Sequence, residues 1–357
     1  MLVMSNEETN IMSYISIPLE DSKAPIPSLQ ALPAEEKTPV TPLRTMRDSY
    51  GIDAWVKHES FNPTGSIKYR AAKHIVDQMR ERGELPCGSS IVESSSGNMG
   101  AALAAICQQY NLGFTCVVDP RVQPYNLELI RSYGADICMV SEPLTGDYLK
   151  ARIAKVKAIL SHDTRFRWTN QYENPLNLNA HYYSTAPEIF SDFSTSLDYL
   201  FVATSSTGTF NGIRKFFKEN SPNTVIVAVD ASGSVLFNGV AGSRKISGMG
   251  AGIATSLSKL STPQILYRIS DGDCVKGCYR HRSDENLDVG GSTGALYEAL
   301  FQNREFYKGK RVLILSADGA EKYQSTIYND GWLNENFPDF TKQNAVTKNL
   351  EEGALLE

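Results

Sequence analysis

The sequence predicts an α/β protein with two α/β/α domains, mostly parallel sheets and a ligand-binding cleft between the domains. Apolar runs rich in β-branched residues alternate with helical patterns through most of the 357 residues, in two groups separated near residue 185. Consecutive parallel strands need a crossover connection, and such sheets are buried on both faces. Hydrophobic residues make up 41% of the chain and charged residues 21%, which is typical of a globular protein with a large core.

The first group of elements is predicted from apolar patterns with the periods of strands and helices. The helical pattern over residues 66–82 places Ile67, Ala71, Ile75 and Met79 near one face. In chain order, the predicted elements are strand DAWVKHE, the 66–82 helix, strand SSIVES, helix NMGAALAAICQQYN, strand FTCVVD, helix NLELIRSYG, strand DICMVS and helix YLKARIAKVKAILSH.

The second group of elements follows the same alternation. It contains strand DYLFVAT, a helix over residues 211–219, strand TVIVAVDAS, a helix over residues 293–302 and strand VLILSAD. The polar N-terminal sequence lacks sustained periodicity and predicts an extended arm. The predicted organisation is an arm over residues 1–37, a smaller and partly mobile domain over 50–185, a larger domain formed by 38–49 and 186–338, and a tail over 339–357.

Composition excludes several classes of protein. The formal net charge of −5 argues against nucleic-acid binding, which usually goes with a basic surplus. No apolar run approaches the roughly 20 residues of a membrane helix, and the opening MLVMSNEETN has no secretory signal pattern. The six cysteines lack the spacing of a metal site, since Cys274 and Cys278 are separated by three residues and have no matching pair. Cys107, Cys116 and Cys138 lie in apolar surroundings and are predicted to be buried thiols, and the small number of cysteines indicates a reducing cytoplasm.

A lysine follows a turn in the sequence HESFNPTGSIKYR. Residues 62–65 form the predicted turn, Ser66 is the predicted cap of the next helix, and Lys68 falls in the first turn of that helix. The positive end of a helix disfavours an ammonium group. Lys68 is therefore a candidate for a lysine whose charge is suppressed or which reacts covalently. The alternative is an exposed lysine with its head group in water.

Three further loops combine glycine with hydroxyl residues beside a strand end or helix start. Backbone N–H groups at such places bind anions, and small side chains let a phosphate approach the backbone. The loops are ESSSGN at residues 93–98, SSTGT at 205–209 and GGSTG at 290–294. The alternative for the first is a helix cap, and for the last a glycine-rich helix entry. The SSTGT loop does not match a P-loop.

Several common catalytic patterns are missing from the sequence. It contains no GxSxG, HExxH or EF-hand motif, and GMGAG at 248–252 lacks the strand and acidic residue of a dinucleotide fingerprint. None of the five histidines is paired at metal-ligand spacing. Several anion-binding loops, a candidate reactive lysine and no metal motif together indicate an organic cofactor.

The order of these loops resembles the fold-type II pyridoxal-phosphate enzymes, the family that includes cysteine synthase and cystathionine β-synthase. The resemblance extends from about Thr38 to Leu333. It rests on TPVTPL, NPTGSIKYR, ESSSGNMG, TNQYENPLN, SSTGT, GMGAG and GGSTGA in this order. It implies pyridoxal 5′-phosphate as the cofactor, a larger domain that binds the cofactor phosphate, and a homodimer.

The resemblance also implies roles for individual residues. Lys68 resembles the Schiff-base lysine, which also serves as the base once it is released. Asn98 resembles the asparagine at the phenolic oxygen of the cofactor, and Ser292 the serine at its pyridine nitrogen. The phosphate would be held by Ser205, Ser206, Thr207, Gly208 and Thr209. The substrate carboxylate would be bound by Ser95, Ser96 and Gln171.

Enzymes of this family eliminate a leaving group from a serine derivative to give an aminoacrylate, to which a nucleophile adds. This sequence departs from cysteine synthases at Tyr172, Ser205 and Ala317, where they have phenylalanine, glycine and proline. The added hydroxyls of Tyr172 and Ser205 suit an amino-acid acceptor better than sulfide. The sequence is similar to the branch that joins O-phospho-L-serine to L-glutamate. That branch makes N-(2-amino-2-carboxyethyl)-L-glutamate for 2,3-diaminopropionate and siderophore biosynthesis.

In that branch, Arg152 would contact the phosphate of the donor, and a guanidinium group suits bidentate phosphate binding. The alternative for Arg152 is a solvated charge on its helix.

The acceptor could also be aspartate or another amine. Three other functions stay open. One is a cysteine synthase that uses O-acetyl- or O-phosphoserine with sulfide, another is a dehydratase in which water resolves the aminoacrylate, and the third is a non-catalytic regulatory or scaffold homologue. The presence of Lys68 and Asn98 argues against the non-catalytic homologue.

Overall fold

The computed structural model describes residues 37–144, 147–260 and 262–340. The strands in these ranges are β1 (Val40–Pro42), β2 (Asp53–His58), β3 (Ser90–Ser94), β4 (Gly113–Val118), β5 (Asp136–Met139), β6 (Phe166–Trp168), β7 (Tyr199–Ala203), β8 (Val225–Ala231), β9 (Ile265–Ile269) and β10 (Arg311–Ser316). The α-helices are α1 (Arg44–Tyr50), α2 (Lys68–Glu81), α3 (Asn98–Gln109), α4 (Pro124–Ser132), α5 (Tyr148–His162), α6 (Leu176–Ala180), α7 (Ala186–Phe193), α8 (Gly208–Asn220), α9 (Asp271–Glu285), α10 (Gly291–Gln302), α11 (Arg304–Tyr307) and α12 (Asp330–Asn336). The predicted α/β class is confirmed.

The larger of two compact units contains the described residues 37–86 and 169–340. Its six-stranded sheet has the order β1-β2-β10-β7-β8-β9, in which β1 runs antiparallel to β2 and every other neighbouring pair is parallel. Both faces of this sheet are buried. In β7, Leu200 and Val202 pack into one core cluster and Phe201 into another, as expected for a sheet covered by helices on both sides.

The smaller unit is formed by Cys87–Trp168. Its four strands have the order β5-β4-β3-β6 and are all parallel. Val92 of β3 and Val117 of β4 form an apolar cluster with Val156 of α5. Helix α3 is buried along nearly all of its length, which agrees with its alanine-rich sequence.

The units differ from the predicted domain boundaries. Strand β2 pairs in parallel with β10, so residues 50–86 belong to the larger unit rather than to the predicted 50–185 domain. Residues 169–185 also lie in the larger unit, where α6 packs against α2 and α8. Most of the predicted arm and tail fall outside the described residues. None of the helices in the described ranges has the length and apolar character needed to cross a bilayer.

Candidate active site

Lys68 is the first residue of α2 and so lies in the first turn of that helix, as predicted, although the helix begins two residues later than the predicted residue 66. It comes shortly after the loop of residues 62–66, called the lysine loop here. Gly65 has a φ of 68° and its N–H donates to the Asn62 carbonyl oxygen at 2.8 Å, which closes the predicted turn. The predicted cap is wrong, because Ile67 occupies the N-cap position and the Ser66 side chain makes no capping bond. Instead the buried Ser66 hydroxyl has no hydrogen-bond partner among the described residues.

The segment after β10 holds the lysine loop in place. Ser66 forms an antiparallel bridge with Asp318, and the Ile67 N–H donates to the Ala317 carbonyl oxygen at 2.8 Å. The buried Lys322 donates from Nζ to the carbonyl oxygens of the loop residues 64 and 65, at 3.3 and 3.2 Å. Sequence reasoning missed Lys322 because its contacts join residues more than 250 positions apart.

The surroundings of Lys68 favour the neutral amine. Burial lowers the pKa of the Lys68 ammonium, and the Asp318 carboxylate offsets part of this effect. Asp318 is itself buried, and Tyr323 donates to its two oxygens at 3.4 and 3.2 Å. Lys68 is thus a partly buried lysine with a lowered pKa, not the fully solvated lysine of the alternative interpretation.

The 205–209 loop joins β7 to the start of α8, as predicted. Thr207 has a φ of 67°, and a Cβ added at Gly208 would lie 2.3 Å from Asn177 Oδ1. Glycine is therefore the only residue that fits the first position of α8 without a shift. The Ser205 hydroxyl donates to the Gly250 carbonyl oxygen at 3.2 Å, so the GMGAG stretch packs against this loop.

Two residues that support the 205–209 loop were not singled out from the sequence. Asn177 donates from Nδ2 to Ser206 Oγ at 3.1 Å and to the Gln171 carbonyl oxygen at 2.8 Å. His181, in a π-helical turn, lies with Nε2 3.1 Å from Thr209 Oγ1. Burial and the nearby cations lower the pKa of His181 well below its ordinary value. Asn177 is the last residue of TNQYENPLN, one of the motifs that carry the family resemblance, and this position in the motif was the indication that the sequence offered.

That same motif contains the predicted substrate residues Gln171 and Tyr172. They lie in a turn in which Asn170 has a φ of 47° and the Asn174 side chain donates to the Thr169 carbonyl oxygen at 2.9 Å. Gln171 is buried and Tyr172 is half-buried. The hydrogen bond from Asn177 to the Gln171 backbone ties this turn to the 205–209 loop.

Ser292 is the second residue of α10 and is buried. The glycine before this helix is required by packing, because a Cβ added at Gly290 would lie 2.1 Å from Asp318 Oδ1. Asp318 therefore adjoins both the lysine loop and the start of α10. On the preceding helix, α9, the Cys274 and Cys278 thiols donate to the carbonyl oxygens of residues 291 and 290, which ties α9 to the start of α10.

The smaller unit carries the serine loop, defined as residues 94–97, between β3 and α3. The N-cap of α3 is Gly97, which has no side chain, but the Ser95 hydroxyl accepts the Gly100 N–H at 3.0 Å and so satisfies one of the free N–H groups in the first turn of this helix. The Ser96 hydroxyl accepts a bond from Arg152 Nη1 at 3.0 Å. Asn98 begins α3 and is half-buried.

Arg152 lies on α5 and is buried, so it is not a solvated charge on that helix. Its Nε atom is 3.3 Å from Asp119 Oδ2, and this ion pair lacks the geometry of a hydrogen bond. The hydrogen bond from Arg152 to Ser96 therefore joins α5 to the serine loop within the smaller unit. Asp119 was not predicted, although it directly follows β4 in the sequence FTCVVD.

The chain belongs to the family of pyridoxal-phosphate dependent enzymes, whose family model matches residues 31–318. It is 36% identical over 301 residues to an N-(2-amino-2-carboxyethyl)-L-glutamate synthase of Cupriavidus metallidurans, covering 83% of this chain and 88% of the relative. The resemblance to fold-type II enzymes and the predicted cofactor are confirmed.

Solved structures agree with this family assignment. An O-acetylserine dependent cystathionine β-synthase from Helicobacter pylori matches with a TM-score of 0.76 and 26% identity, covering 84% of this chain and 97% of that chain. A hydrogen sulfide-producing enzyme from Fusobacterium nucleatum matches with a TM-score of 0.73 and 29% identity, covering 80% and 94%.

The residues of the larger unit fit pyridoxal phosphate. Within the described part of the larger unit, the buried side-chain oxygen atoms without a hydrogen-bond partner lie in the lysine loop, at Thr64 and Ser66, and beside the 205–209 loop, at Asn177. Such atoms carry a free-energy cost unless a bound group satisfies them. Lys68 provides an amine with a lowered pKa, and the start of α8 provides backbone N–H groups for a phosphate.

Proposed function

We propose that this protein is a β-replacement synthase that releases phosphate from O-phospho-L-serine and adds the amine of L-glutamate. The product would be N-(2-amino-2-carboxyethyl)-L-glutamate. The observation that carries the proposal is the buried Arg152, which is bonded to the serine loop that resembles the substrate-binding loop of the family. The relative from Cupriavidus metallidurans, named for this product, supports the choice of acceptor.

The predicted cofactor-binding residues would hold pyridoxal phosphate, and one of them, Lys68, would also take a proton from the substrate. Pyridoxal phosphate, when bound, withdraws electrons from the α-carbon of an attached amino acid, so that the α-proton becomes removable. Lys68 would hold the cofactor covalently and, once released, its amine would take that proton. Ser205, Ser206, Thr207, Gly208 and Thr209 would hold the phosphate, Ser292 would contact the pyridine nitrogen, and Asn98 the phenolic oxygen.

The substrate residues would orient the donor and the acceptor. Ser95, Ser96 and Gln171 would bind the α-carboxylate, and Arg152 would bind the phosphate that leaves. Ser95 would do so while its hydroxyl accepts the Gly100 N–H, because a serine hydroxyl can donate and accept at once. Tyr172 and Ser205 would recognise the acceptor through their hydroxyls, which sulfide would not need.

The test is to purify the protein with its cofactor and supply each donor with each acceptor. We expect O-phospho-L-serine and L-glutamate to give a product with the mass of N-(2-amino-2-carboxyethyl)-L-glutamate, and the Arg152→Gln variant to lose turnover of phosphoserine. Turnover only with O-acetyl-L-serine and sulfide would instead make the protein a cysteine synthase. The relatives named for O-acetylserine dependence and hydrogen sulfide production favour that second candidate.

The cellular setting is part of the same proposal. The protein would act in the cytoplasm as a homodimer and supply 2,3-diaminopropionate, for siderophores among other products. Light scattering of the purified protein would test the dimer, for which we expect about twice the chain mass of 39.4 kDa. A monomeric mass with full activity would exclude the dimer without affecting the proposed reaction.

A further inference from the structure

One buried carboxylate in the smaller unit holds two arginine side chains. Asp119, which follows β4, has a side chain that is only 3% exposed. Its Oδ2 lies 3.3 Å from Nε of Arg152, and its Oδ1 accepts the backbone N–H of Arg121 at 2.9 Å and lies 3.3 Å from Nε of the same residue. The two guanidinium groups are therefore fixed by opposite oxygens of the same carboxylate.

The charges of this cluster leave a surplus that an anion can satisfy. Two guanidinium groups and one carboxylate have a net charge of one positive unit. The Arg121 side chain is 66% exposed, yet its orientation is restrained because its guanidinium carbon lies 4.6 Å from the centre of the Tyr148 ring. The buried Arg152 Nε makes no hydrogen bond among the described residues. The cluster thus combines a restrained, accessible cation with a buried cation whose donors are not all used.

We propose that Arg121 and Arg152 form a two-arginine anion subsite for the phosphoryl group of the donor, and that Asp119 is the positioning residue for both. This inference rests on the proposed function, because it assigns the subsite to O-phospho-L-serine. A phosphate monoester carries close to two negative charges at neutral pH and accepts several hydrogen bonds from guanidinium groups. An acetyl ester is neutral and gains little binding free energy from two guanidinium groups. The subsite would therefore select the phosphorylated donor.

A matched control exists in the same unit. Asp163 and Arg165 have the same two-residue spacing, and the Arg165 N–H donates to Asp163 Oδ1 at 2.9 Å. Asp163 is more exposed than Asp119, and its ion pair within the described residues is with Arg165 alone. Arg165→Gln therefore removes an arginine from the same local geometry without touching the proposed subsite.

The experiment is a titration of the cofactor-loaded protein with O-phospho-L-serine and with O-acetyl-L-serine, followed by visible absorbance. For Arg121→Gln we expect about a tenfold higher half-saturating concentration of phosphoserine, the scale of a lost charge-assisted hydrogen bond, and no change for acetylserine. Inhibition by inorganic phosphate should weaken by a similar factor. Arg165→Gln should match the wild type in all three measurements. For Asp119→Asn we expect loss of the discrimination between the two donors.

The outcomes separate this inference from the proposed function. If the wild type uses phosphoserine but Arg121→Gln behaves like Arg165→Gln, the two-arginine subsite is wrong and the proposed function stands. If the wild type shows no preference for phosphoserine, the proposed donor fails, and the subsite fails with it. Tighter binding of phosphoserine by Asp119→Asn would mean that Asp119 only repels the substrate and does not position the arginines. Because Arg121 is exposed, its substitution decides the question even if Asp119→Asn does not fold.

Discussion

Lys68 shows how single residues set the chemistry of this site. Burial lowers the pKa of its ammonium group, whereas the Asp318 carboxylate raises it. The two effects oppose each other, and burial is the larger of the two, so the pKa is lowered overall. Asp318 therefore keeps the lysine more protonated than its buried surroundings alone would allow.

Replacing this carboxylate should shift the reactivity of Lys68 to lower pH. In Asp318→Asn the raising contribution is lost, the pKa of Lys68 falls further, and the neutral amine forms at lower pH. We expect the rate of covalent cofactor attachment to the apoprotein to reach half of its maximum at a lower pH than in the wild type. Absorbance-monitored reconstitution across neutral and alkaline pH measures this. Glu321→Gln, which changes a nearby carboxylate, should leave the pH dependence unchanged, and equal profiles for both variants would contradict the prediction.

Gly208 sets the fit of the 205–209 loop. A methyl group at this position would lie 2.3 Å from Asn177 Oδ1, so either Asn177 or the start of α8 must move. Overpacking of this kind costs roughly 1–3 kcal/mol, and we expect Gly208→Ala to weaken cofactor binding about tenfold. Fluorescence titration of the apoprotein with pyridoxal phosphate measures this. Gly272→Ala is the control, since among the described residues the nearest atom that a Cβ there would meet is Ser270 Oγ at 3.9 Å. An equal loss in both variants would argue against the packing explanation.

At the scale of elements, a buried ionic network joins α2 to its neighbours. Arg70 of α2 lies 2.6 Å from Glu59, which is fully buried, and 2.5 Å from Glu188 of α7. Lys57 of β2 is also fully buried and lies 2.9 Å from Glu188. Burial alone would raise the pKa of Glu188, but hydrogen bonds and charges from Arg70 and Lys57 hold it below its ordinary value.

Removal of the Arg70 guanidinium group should destabilise the protein strongly. Arg70→Met leaves buried carboxylates short of a partner, and losing one member of such a network costs about 3–5 kcal/mol. Urea unfolding measures the change. The control Lys276→Met breaks the exposed pair with Asp273 on α9, for which we expect a loss below about 1 kcal/mol. Similar losses in both variants would show that the network contributes no more than a surface pair.

Helices α5 and α9 show which kind of element could be predicted from the sequence and which could not. Helix α5 occupies the predicted stretch, Tyr148–His162, because it has a clear start and few interrupting residues. Helix α9 was not predicted, since its sequence DGDCVKGCYRHRSDE has two glycines and little apolar periodicity. It is stabilised by tertiary packing against α10 through buried residues that include Cys274 and Cys278. Local pattern does not reveal such packing.

At the scale of the whole molecule, the α/β class and the loops at strand ends were predictable because both depend on local pattern. The partners that hold those loops were not. Arg70 and Glu188 are 118 positions apart, and the contacts of Lys322 and Asp119 are likewise set only by the fold. Lys68 could be singled out because the turn before it and the helix after it are adjacent in sequence. Its lowered pKa depends on distant residues, which only the three-dimensional structure brings together.

The thiols give a prediction that depends on the whole fold. All six cysteines are free, and Cys87 is exposed, Cys138 is half-buried and the other four are buried. Burial raises the pKa of the Cys107 thiol to about 12, and a protonated, inaccessible thiol reacts slowly. A disulfide reagent that releases a detectable thiolate on reaction should therefore modify Cys87 rapidly and Cys138 more slowly. In guanidinium, all six cysteines should react. Cys87→Ser should remove the fast phase alone. Fewer than six reactive thiols in denaturant would reveal a disulfide and contradict the reducing compartment that the sequence predicts, whereas rapid reaction of several thiols in the native protein would show that the folded core opens readily.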